Sequence, residues 1–504
     1  MIIETIKIKE MGIFGELFLG IAIIYLVIYG TFLSYNKTTK FILIQNAMIY
    51  LGVLTISMVC FLFLNDNLIF LNCLCFNNAI INDYLSFISK LLIGISSSFC
   101  LLLIQQYLLD QKINHFEYIL IMLFSILGLF LLCVSNDLIT AYLAIELQSL
   151  SFYVLAAFKK NSTFSVEAGL KYFILGAFSS GLFLFGSSLI YGITGTVNLE
   201  DFKDLFFWVF SKDINIGIEN LNLLQFALIF ILISLFFKLA LAPFHLWSPD
   251  IYEGSPTSST FFFAVVPKLS IFILLLRICY YSFFTFIDSW RYLIVIIGIL
   301  SIIVGSFVGL EQRKFKSLLA YSSIGHMGYL LICFSTGSIE GIQILFSYLI
   351  VYMSSGLCVW SIFVITRLKN SYFKKQNKDL ADLVLLNKSN KILAIILTIT
   401  LLSIAGLPPM IGFIVKFGIF FVTIKNSLYL VAFFSILFSV VATFYYIRIV
   451  KILYFEKLLV GKLYYPIKTQ TVTLVVLLFY FFIFWFINPT ILYLFSHKIS
   501  LLLL

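Results

Sequence analysis

One stretch of the chain, "FKLALAPFHLWSPDIYEGSPT" from Phe237 to Thr257, combines features that an ordinary apolar helix lacks. It begins inside a long apolar run and then places Lys238, Pro243 and His245 within about two helical turns. Pro243 removes one backbone hydrogen bond and clashes with the preceding turn, so we expect the helix to break there. Backbone groups freed at membrane depth are tolerated only beside protein or water. A lysine, a helix break and an imidazole together indicate a hydrated site that handles protons.

The composition is that of a membrane protein. Of the 504 residues, 62% are hydrophobic and only 11% are charged, whereas soluble domains carry about 25% charged residues. The apolar runs repeatedly exceed the roughly 18 residues that mark a membrane-spanning helix. We therefore expect an all-α polytopic membrane protein with about 14 transmembrane helices, over the approximate ranges 12–34, 41–64, 84–109, 116–135, 138–158, 165–193, 221–247, 257–282, 289–310, 316–335, 339–366, 391–423, 427–450 and 469–495.

The basic residues are distributed unevenly between the predicted connections. The net charge of +10 does not indicate nucleic acid, because the basic residues lie in short loops between apolar runs. The odd-numbered connections hold 20 Lys and Arg residues, against 7 in the termini and the even-numbered connections. This bias predicts that the odd connections lie on the inner side and that both termini lie outside. The acidic string "SPDIYEGSPT" then lies on the inner side.

We find no cofactor motif in the sequence. The eight cysteines form no C-x-x-C pair, so we expect neither a metal site nor a disulfide framework. A glycine-rich phosphate loop and a dinucleotide fingerprint are also missing. The connection 196–220 is long and of mixed charge, and we expect a short interfacial amphipathic helix there.

Six basic residues lie inside the predicted spans and fall into two groups. A charged lysine at the centre of a transmembrane helix costs about 2.5–3.5 kcal/mol, so deep lysines usually face the protein interior or water and mark ion paths. Three basic residues lie near span ends and are expected to snorkel to the membrane surface: Lys90, Lys171 and Arg277. Three lie well inside their apolar runs and are expected to be functional: Lys238, Lys268 and Lys416.

One deep acid accompanies these lysines. Glu146 lies within the fifth span, "LITAYLAIELQSLSFYVLAAF". A carboxylate there needs a partner, and Lys238 or Lys268 can supply it across a helix interface. A static structural ion pair is the alternative. Three other acids lie nearer span ends and are expected to be solvated: Glu117, Asp137 and Glu167.

A second helix break is predicted in "SIAGLPPMIGFIVKF". Pro408 and Pro409 interrupt the twelfth span, and Lys416 follows seven residues later. The seventh and twelfth spans are five apart, and an odd offset reverses the direction of a helix across the membrane. This pattern is typical of two inverted five-helix repeats with discontinuous helices at the site. The predicted divisions are an N-terminal three-helix segment (1–115), a first repeat of helices 4–8 (116–282), a second repeat of helices 9–13 (283–455), and a C-terminal helix and tail (456–504).

The tenth span contains a buried histidine. His326 lies deep in "EQRKFKSLLAYSSIGHMGYLL", and in the predicted repeat this span corresponds to the one that carries Glu146. Histidine titrates near neutral pH, so His326 can pass protons. Ordinary packing is the alternative for a single histidine in a helix.

Four of these strings resemble a known family: "FKLALAPFHLWSPDIYEGSPT", "SSTFFFAVVPKLS", "RKFKSLLAYSSIGHMGYLL" and "AGLPPMIGFIVKF". They look like the antiporter-like membrane subunits of respiratory complex I, from about the fourth to the thirteenth span. Within that family, "PDIYEGSPT" is similar to the subunit 2 branch, called the N branch in bacteria. It also resembles a plastid NAD(P)H dehydrogenase subunit. The resemblance implies a proton-translocating subunit in the mitochondrial inner membrane.

The resemblance also implies roles for residues, partners and cofactors. Glu146 would modulate Lys238 at the broken seventh helix, Lys268 would lie on the central axis, and Lys416 would be the terminal lysine. His245 and His326 would relay protons between these lysines. The partners would be other membrane-arm subunits, especially the fourth antiporter-like subunit and the small membrane subunits, together with lipids. NADH, FMN, iron–sulfur clusters and ubiquinone would bind in partner subunits and not in this chain.

Two other classes of protein remain open. A stand-alone cation/proton antiporter also uses inverted repeats, broken helices and buried charges. A structural membrane scaffold is the third class, although it would not need four deep charges. Copurification distinguishes these classes, because a complex subunit copurifies with redox partners and a stand-alone transporter does not.

Overall fold

The computed structural model describes residues 11–34, 45–69, 72–111, 113, 115–211, 218–369, 374–376, 379–384, 386–456, 463–464 and 467–503. Parts of the predicted basic connections 367–390 and 448–468, and the end of the connection 196–220, lie outside these residues. Within the described residues the chain is mostly helical, as predicted.

Three long helices and a small hairpin come first among the described residues. A 3-10 turn, Met11–Ile13, leads into the helices Phe14–Ser34 (α1), Gln45–Ile69 (α2) and Tyr84–Asp110 (α3). Between α2 and α3, strands Cys73–Cys75 (β1) and Ile80–Asn82 (β2) pair antiparallel. The two cysteines of β1 are free thiols.

The next eight helices contain the first break. In chain order they are Glu117–Val134 (α4), Leu138–Ala157 (α5), Thr163–Thr194 (α6), Leu199–Ser211 (α7), Ile218–Leu239 (α8), Trp247–Gly254 (α9), Thr257–Val265 (α10) and Pro267–Leu276 (α11). α8 makes up most of the predicted seventh span, 221–247, and α9 begins at the residue where that span was predicted to end. α10 and α11 form the eighth, which a π-helical turn, Arg277–Ser282, extends before the 3-10 turn Phe284–Phe286.

The remaining nine helices contain the second break. They are Ile287–Glu311 (α12), Phe315–Ser335 (α13), Ile339–Ile365 (α14), Leu386–Ser389 (α15), Lys391–Ala405 (α16), Ile411–Lys425 (α17), Tyr429–Tyr454 (α18), Thr469–Ile487 (α19) and Pro489–Leu503 (α20). A 3-10 turn, Leu380–Leu383, precedes α15. Strands Arg367–Lys369 (β3), Lys374–Gln376 (β4) and Leu463–Tyr464 (β5) form an antiparallel sheet in the order β4-β3-β5.

Thirteen of the approximately 14 predicted spans are present as single helices. In the described part of the chain, 13 helices are long and apolar enough to cross a membrane. α16 and α17, of 15 residues each, are individually too short and together make the fourteenth span. The predicted last span, 469–495, is too long, because α19 ends at Ile487 and Pro489 begins a separate helix. The repeat relation and the domain limits stay predictions.

The core of the molecule lies around α10, α11 and α13. The most apolar window of Thr257–Ser282 is 100% buried, and that of α13 is 94% buried. α1 and α2 bury only 33% of theirs and α19 buries 22%, so these helices form edges. Lys268, on α11, therefore lies inside the protein and not at its lipid-facing surface.

Helix α7 matches the short amphipathic helix predicted in the connection 196–220. Phe202 and Phe206 are buried on one face, where their rings pack against Phe283. Asp201 and Lys203 on the other face are exposed. α7 thus covers the end of the segment that carries Lys268.

Ion pairs join helix ends that the predicted topology places on one side. Two pairs lie at the inner end: Lys171–Asp250 and Lys314–Glu253. One lies at the outer end: Lys425–Glu340. The inner pairs balance both acids of "SPDIYEGSPT" with lysines from α6 and the start of α13, so this string needs no basic residue of its own.

Two of the three basic residues predicted to snorkel are buried instead. The Lys90 side chain is 2% exposed, and its Nζ lies 2.9 Å from Glu16 Oε1. The Arg277 side chain is 4% exposed, and its Nη2 lies 2.8 Å from Asp83 Oδ1. Because each finds a carboxylate on or beside a neighbouring helix, neither has to reach the membrane surface. Lys171 is exposed, in agreement with the prediction.

Candidate functional site

The first break begins a few residues before Pro243. α8 ends at Leu239, and Ala240 adopts the left-handed conformation with φ +60°. The Leu241 N–H donates to the Phe236 carbonyl at 3.0 Å and closes the helix end. The helix therefore stops at this left-handed turn, and Pro243 prevents it from restarting before α9.

A lysine from another helix takes up the freed end of α8. Lys268 Nζ donates to the Leu239 carbonyl at 2.8 Å, and Lys268 is 2% exposed. The last carbonyls of a helix have no partner within the helix and carry the negative end of its dipole. A cationic or neutral amine can donate to such a carbonyl. The break and Lys268 are thus one structural unit.

The second break repeats this arrangement. α16 ends at Ala405, and Gly406 follows with φ +83°. The Gly406 N–H donates to the Leu402 carbonyl at 3.1 Å. Lys416 Nζ donates to the carbonyls of Ile404 and Ala405, both at 2.9 Å. Here the capping lysine comes from the second half of the same broken span.

Glu146 and Lys238 are linked through hydroxyl groups. In the described part of the chain Glu146 forms no direct ion pair with a lysine, in contrast to the close pairing that the sequence suggested. Ser149 Oγ donates to Glu146 Oε2 at 3.4 Å, and Lys238 Nζ donates to Tyr153 Oη at 3.4 Å. Sequence reasoning missed both hydroxyls, although they lie three and seven residues after Glu146 on the same helical face.

Lys238 and Lys268 face one small cavity. Its volume is ≈ 20 Å³, enough for about one water molecule, and Ser149 and Pro267 also line it. His245 does not line this cavity; its ring lies 6.4 Å from that of Tyr321. The structure therefore brings the two lysines together without placing His245 between them.

His326 and Lys416 share a second cavity, of ≈ 40 Å³. His326 Nδ1 lies 2.6 Å from Tyr348 Oη, and Nε2 lies 3.0 Å from Tyr446 Oη. In a neutral imidazole one nitrogen donates and the other accepts, so the two hydroxyls take opposite roles. No sequence signal pointed to these tyrosines, because they come from α14 and α18.

The described residues contain no group of three His, Cys, Asp or Glu side chains placed to hold a metal ion. The two cavities present titratable side chains and hydroxyls, beside helix-end carbonyls that accept from Lys268 and Lys416. Buried groups of this kind at helix breaks are typical of sites that bind and move ions across a membrane.

Comparisons with known proteins agree with this class. Residues 135–443 match a family model described as NADH:quinone oxidoreductase/Mrp antiporter, TM. The chain is 40% identical to NADH-ubiquinone oxidoreductase chain 2 of Marchantia polymorpha, over 98% of each chain. It is 38% identical to NADH-quinone oxidoreductase subunit N of Pelagibacter ubique, over 88% of this chain and 89% of that one. A chain in the structure of respiratory complex I from Thermus thermophilus with bound aureothin superposes with a TM-score of 0.77 at 25% identity, covering 95% of this chain and 98% of that one.

The fold and the two lysine sites define an antiporter-like membrane protein. The chain belongs to the family of NADH-ubiquinone oxidoreductase chain 2, whose bacterial members are named NADH-quinone oxidoreductase subunit N. The resemblance found in the sequence is thereby confirmed.

Proposed function

We propose that the chain is a core proton-translocating subunit in the membrane arm of NADH:ubiquinone oxidoreductase, in the mitochondrial inner membrane. It couples NADH oxidation and quinone reduction elsewhere in the complex to proton pumping. The observation that carries the proposal is the pair of lysines, Lys268 and Lys416, each capping a broken helix beside a cavity. Buried amines that donate to helix-end carbonyls in this way can take up and release a proton without moving away from the helix break.

Proton transfer would run along the buried axis of the molecule. Burial penalises the charged form of a lysine and a nearby carboxylate favours it. A change in the position or charge of Glu146 would then switch Lys238 between holding and releasing a proton. Lys268 would receive that proton through the shared cavity, and His326 and Lys416 would form the second station. A relay role for His245 stays a prediction.

Other parts of the complex would supply the redox chemistry. NADH, FMN, iron–sulfur clusters and ubiquinone would bind in partner subunits, because this chain carries no motif for them. Its neighbours would be other membrane-arm subunits, especially the fourth antiporter-like subunit and the small membrane subunits. Lipids would contact the apolar side chains exposed on edge helices such as α1 and α19.

Substitution of the central lysines tests this function. In inner-membrane vesicles, Lys238→Met and Lys416→Met should each lower NADH-driven proton translocation several-fold while the complex still assembles, because methionine keeps the bulk and removes the titratable amine. Dye quenching measures the proton gradient, and a native-gel NADH stain reports assembly. Lys425→Met, at an exposed ion pair, is the control and should pump normally. Unchanged pumping in both central variants would exclude the proposed role.

A stand-alone cation/proton antiporter is the second candidate, because the matching family model also covers Mrp antiporters. The two functions differ in whether the chain is bound to redox subunits. After mild detergent extraction, a complex subunit should migrate in a large assembly that stains for NADH oxidation. A chain that migrates alone and exchanges cations for protons in proteoliposomes would favour the antiporter.

A further inference from the structure

The proposed mechanism leaves a gap between its first two groups. Glu146 must influence Lys238, yet the described structure shows no direct ion pair between them. The Glu146 carboxylate accepts from Ser149 Oγ at 3.4 Å, and the Lys238 amine donates to Tyr153 Oη at 3.4 Å. Ser149 and Tyr153 are four residues apart, so their side chains are neighbours on the surface of α5. Three residues on one face of α5 therefore form a row that ends at Lys238.

We propose that Ser149 and Tyr153 are proton-transfer residues that connect Glu146 with Lys238. A protonated Glu146 gives its proton to Ser149 Oγ, whose own proton passes to Tyr153 Oη. Tyr153 gives its original proton to the neutral amine of Lys238. Glu146 ends as a carboxylate and Lys238 as an ammonium, while both hydroxyls keep one proton each. Rotation of the two hydroxyls restores the starting arrangement.

The surrounding structure fixes the Tyr153 hydroxyl at this point. Its ring packs edge-on against Tyr172 at 4.8 Å and Phe173 at 5.7 Å, between ring centroids. A Cβ added to Gly176 would lie 2.0 Å from Tyr153 Oη, so only glycine leaves room for the hydroxyl. Lys238 Nζ also lies 5.8 Å from the centroid of the Tyr153 ring. Packing thus positions the ring, and its hydroxyl lies within hydrogen-bonding distance of Lys238 Nζ.

A water molecule in the ≈ 20 Å³ cavity offers a competing route. Ser149 and Lys238 both line that cavity, so water could connect them without Tyr153. The two routes separate on substitution. Removing the Ser149 hydroxyl interrupts both, whereas removing the Tyr153 hydroxyl interrupts only the relay that we propose.

The test uses the intact complex in inner-membrane vesicles. Tyr153→Phe keeps the ring and removes one oxygen, and should lose the same share of NADH-driven proton translocation as Lys238→Met. Ser149→Ala should match it, and Ser149→Thr, which keeps a hydroxyl, should retain pumping. The control is Tyr191→Phe, which removes a hydroxyl from an exposed tyrosine further along α6. Normal pumping by Tyr153→Phe would overturn the proposal.

A second variant reaches the same hydroxyl without deleting it. Gly176→Ala should displace Tyr153 Oη and lower pumping, whereas Gly181→Ala, on the same helix with open space around it, should not. The proposal rests on the proposed function, and Lys238→Met separates the two. If Lys238→Met abolishes coupled pumping and Tyr153→Phe does not, only the relay fails. If neither changes pumping, and Lys416→Met also pumps normally, the proposed function fails as well.

Discussion

At the scale of single residues, each helix break depends on one backbone conformation and one amine. Ala240 and Gly406 adopt left-handed conformations that end their helices, and Lys268 and Lys416 donate to the carbonyls left over. A carbonyl accepts from a charged or a neutral amine, so each lysine keeps its place through a change of protonation. The position of each lysine therefore does not depend on its charge, which is what a residue that carries protons requires.

The fit between Gly406 and Lys416 gives a sharp prediction. A Cβ on Gly406 would lie 2.7 Å from Lys416 Cδ and 3.3 Å from Nζ. Gly406→Ala should therefore displace the amine from the carbonyls of Ile404 and Ala405, and lower proton pumping several-fold in inner-membrane vesicles.

The control for Gly406→Ala must share its backbone strain. Gly195 has φ +73° with open space around its Cβ position. Gly195→Ala should therefore incur a similar left-handed penalty, about 1 kcal/mol, and leave pumping intact. Equal losses in the two variants would mean that strain, and not displacement of Lys416, causes the defect.

At the scale of elements, buried charges tie the N-terminal helices to the rest of the molecule. Lys90 of α3 donates to Glu16 of α1 at 2.9 Å and to Asn82 at 3.0 Å. Arg277, at the end of the α11 segment, donates to Asp83, which precedes α3. The outer ends of these three elements are thus held by ionic contacts as well as by apolar packing.

Breaking the buried pair should be costly. Glu16→Gln leaves the Lys90 ammonium buried without its carboxylate, which costs about 3–5 kcal/mol. We expect a lower thermal stability of the purified complex and a lower yield. The double variant Glu16→Leu with Lys90→Met should recover much of the loss, because it removes both charges.

The exposed pair Lys425–Glu340 is the matched control. Glu340→Gln should change stability by about 1 kcal/mol or less, because solvent already screens that pair. A large loss there, or no loss in Glu16→Gln, would contradict the assignment of stability to the buried pair.

A half-buried acid lies where α5 meets α7. Asp137 precedes α5 and was expected from the sequence to be solvated, but the structure half-buries it. Burial, and then the nearby charge of Asp201, raises the pKa of Asp137 from 3.8 to about 6. The folded protein therefore holds the proton on Asp137 more tightly than the unfolded chain does.

This raised pKa predicts the direction of a pH effect. The stabilisation from protonated Asp137 is complete below pH 3.8 and is lost as the pH rises through about 6. Because the group is half-exposed, the effect should be about 1 kcal/mol or less. Thermal unfolding of the complex between about pH 4 and pH 7 measures it. Asp137→Asn should remove this component of the pH dependence, and Asp201→Asn should move it to lower pH; an unchanged profile in both would refute the assignment.

At the scale of the whole molecule, the topology predicts which loops face which side. Asn161, between α5 and α6, and Ser427, between α17 and α18, are both exposed. The basic bias places Asn161 on the inner, matrix side and Ser427 on the outer side.

Labelling with a membrane-impermeant maleimide tests this orientation. Ser427→Cys should react in mitoplasts and Asn161→Cys in inverted vesicles, against the low background of native cysteines that are buried or partly buried. Reaction of both from one side would disprove the odd number of spans predicted between the two positions.

Much of this protein follows from local sequence alone. The fourteen spans follow from apolar length, because a membrane-crossing helix must satisfy its backbone internally over about 20 residues. The depth of Lys238, Lys268 and Lys416, and the helix breaks near their prolines, follow from the same rule. The predicted sidedness follows from loop charge, and the family follows from the strings around the breaks.

Only the tertiary structure decides which groups meet. Lys268 rather than Lys238 caps the first break, Lys90 and Arg277 find buried acids, and tyrosines from distant helices enclose His326. Partners separated by tens to hundreds of residues leave no trace in local periodicity, since helix rotation and packing determine which faces touch. The sequence by itself therefore determines which charged side chains lie at membrane depth, and packing determines which group each of them contacts.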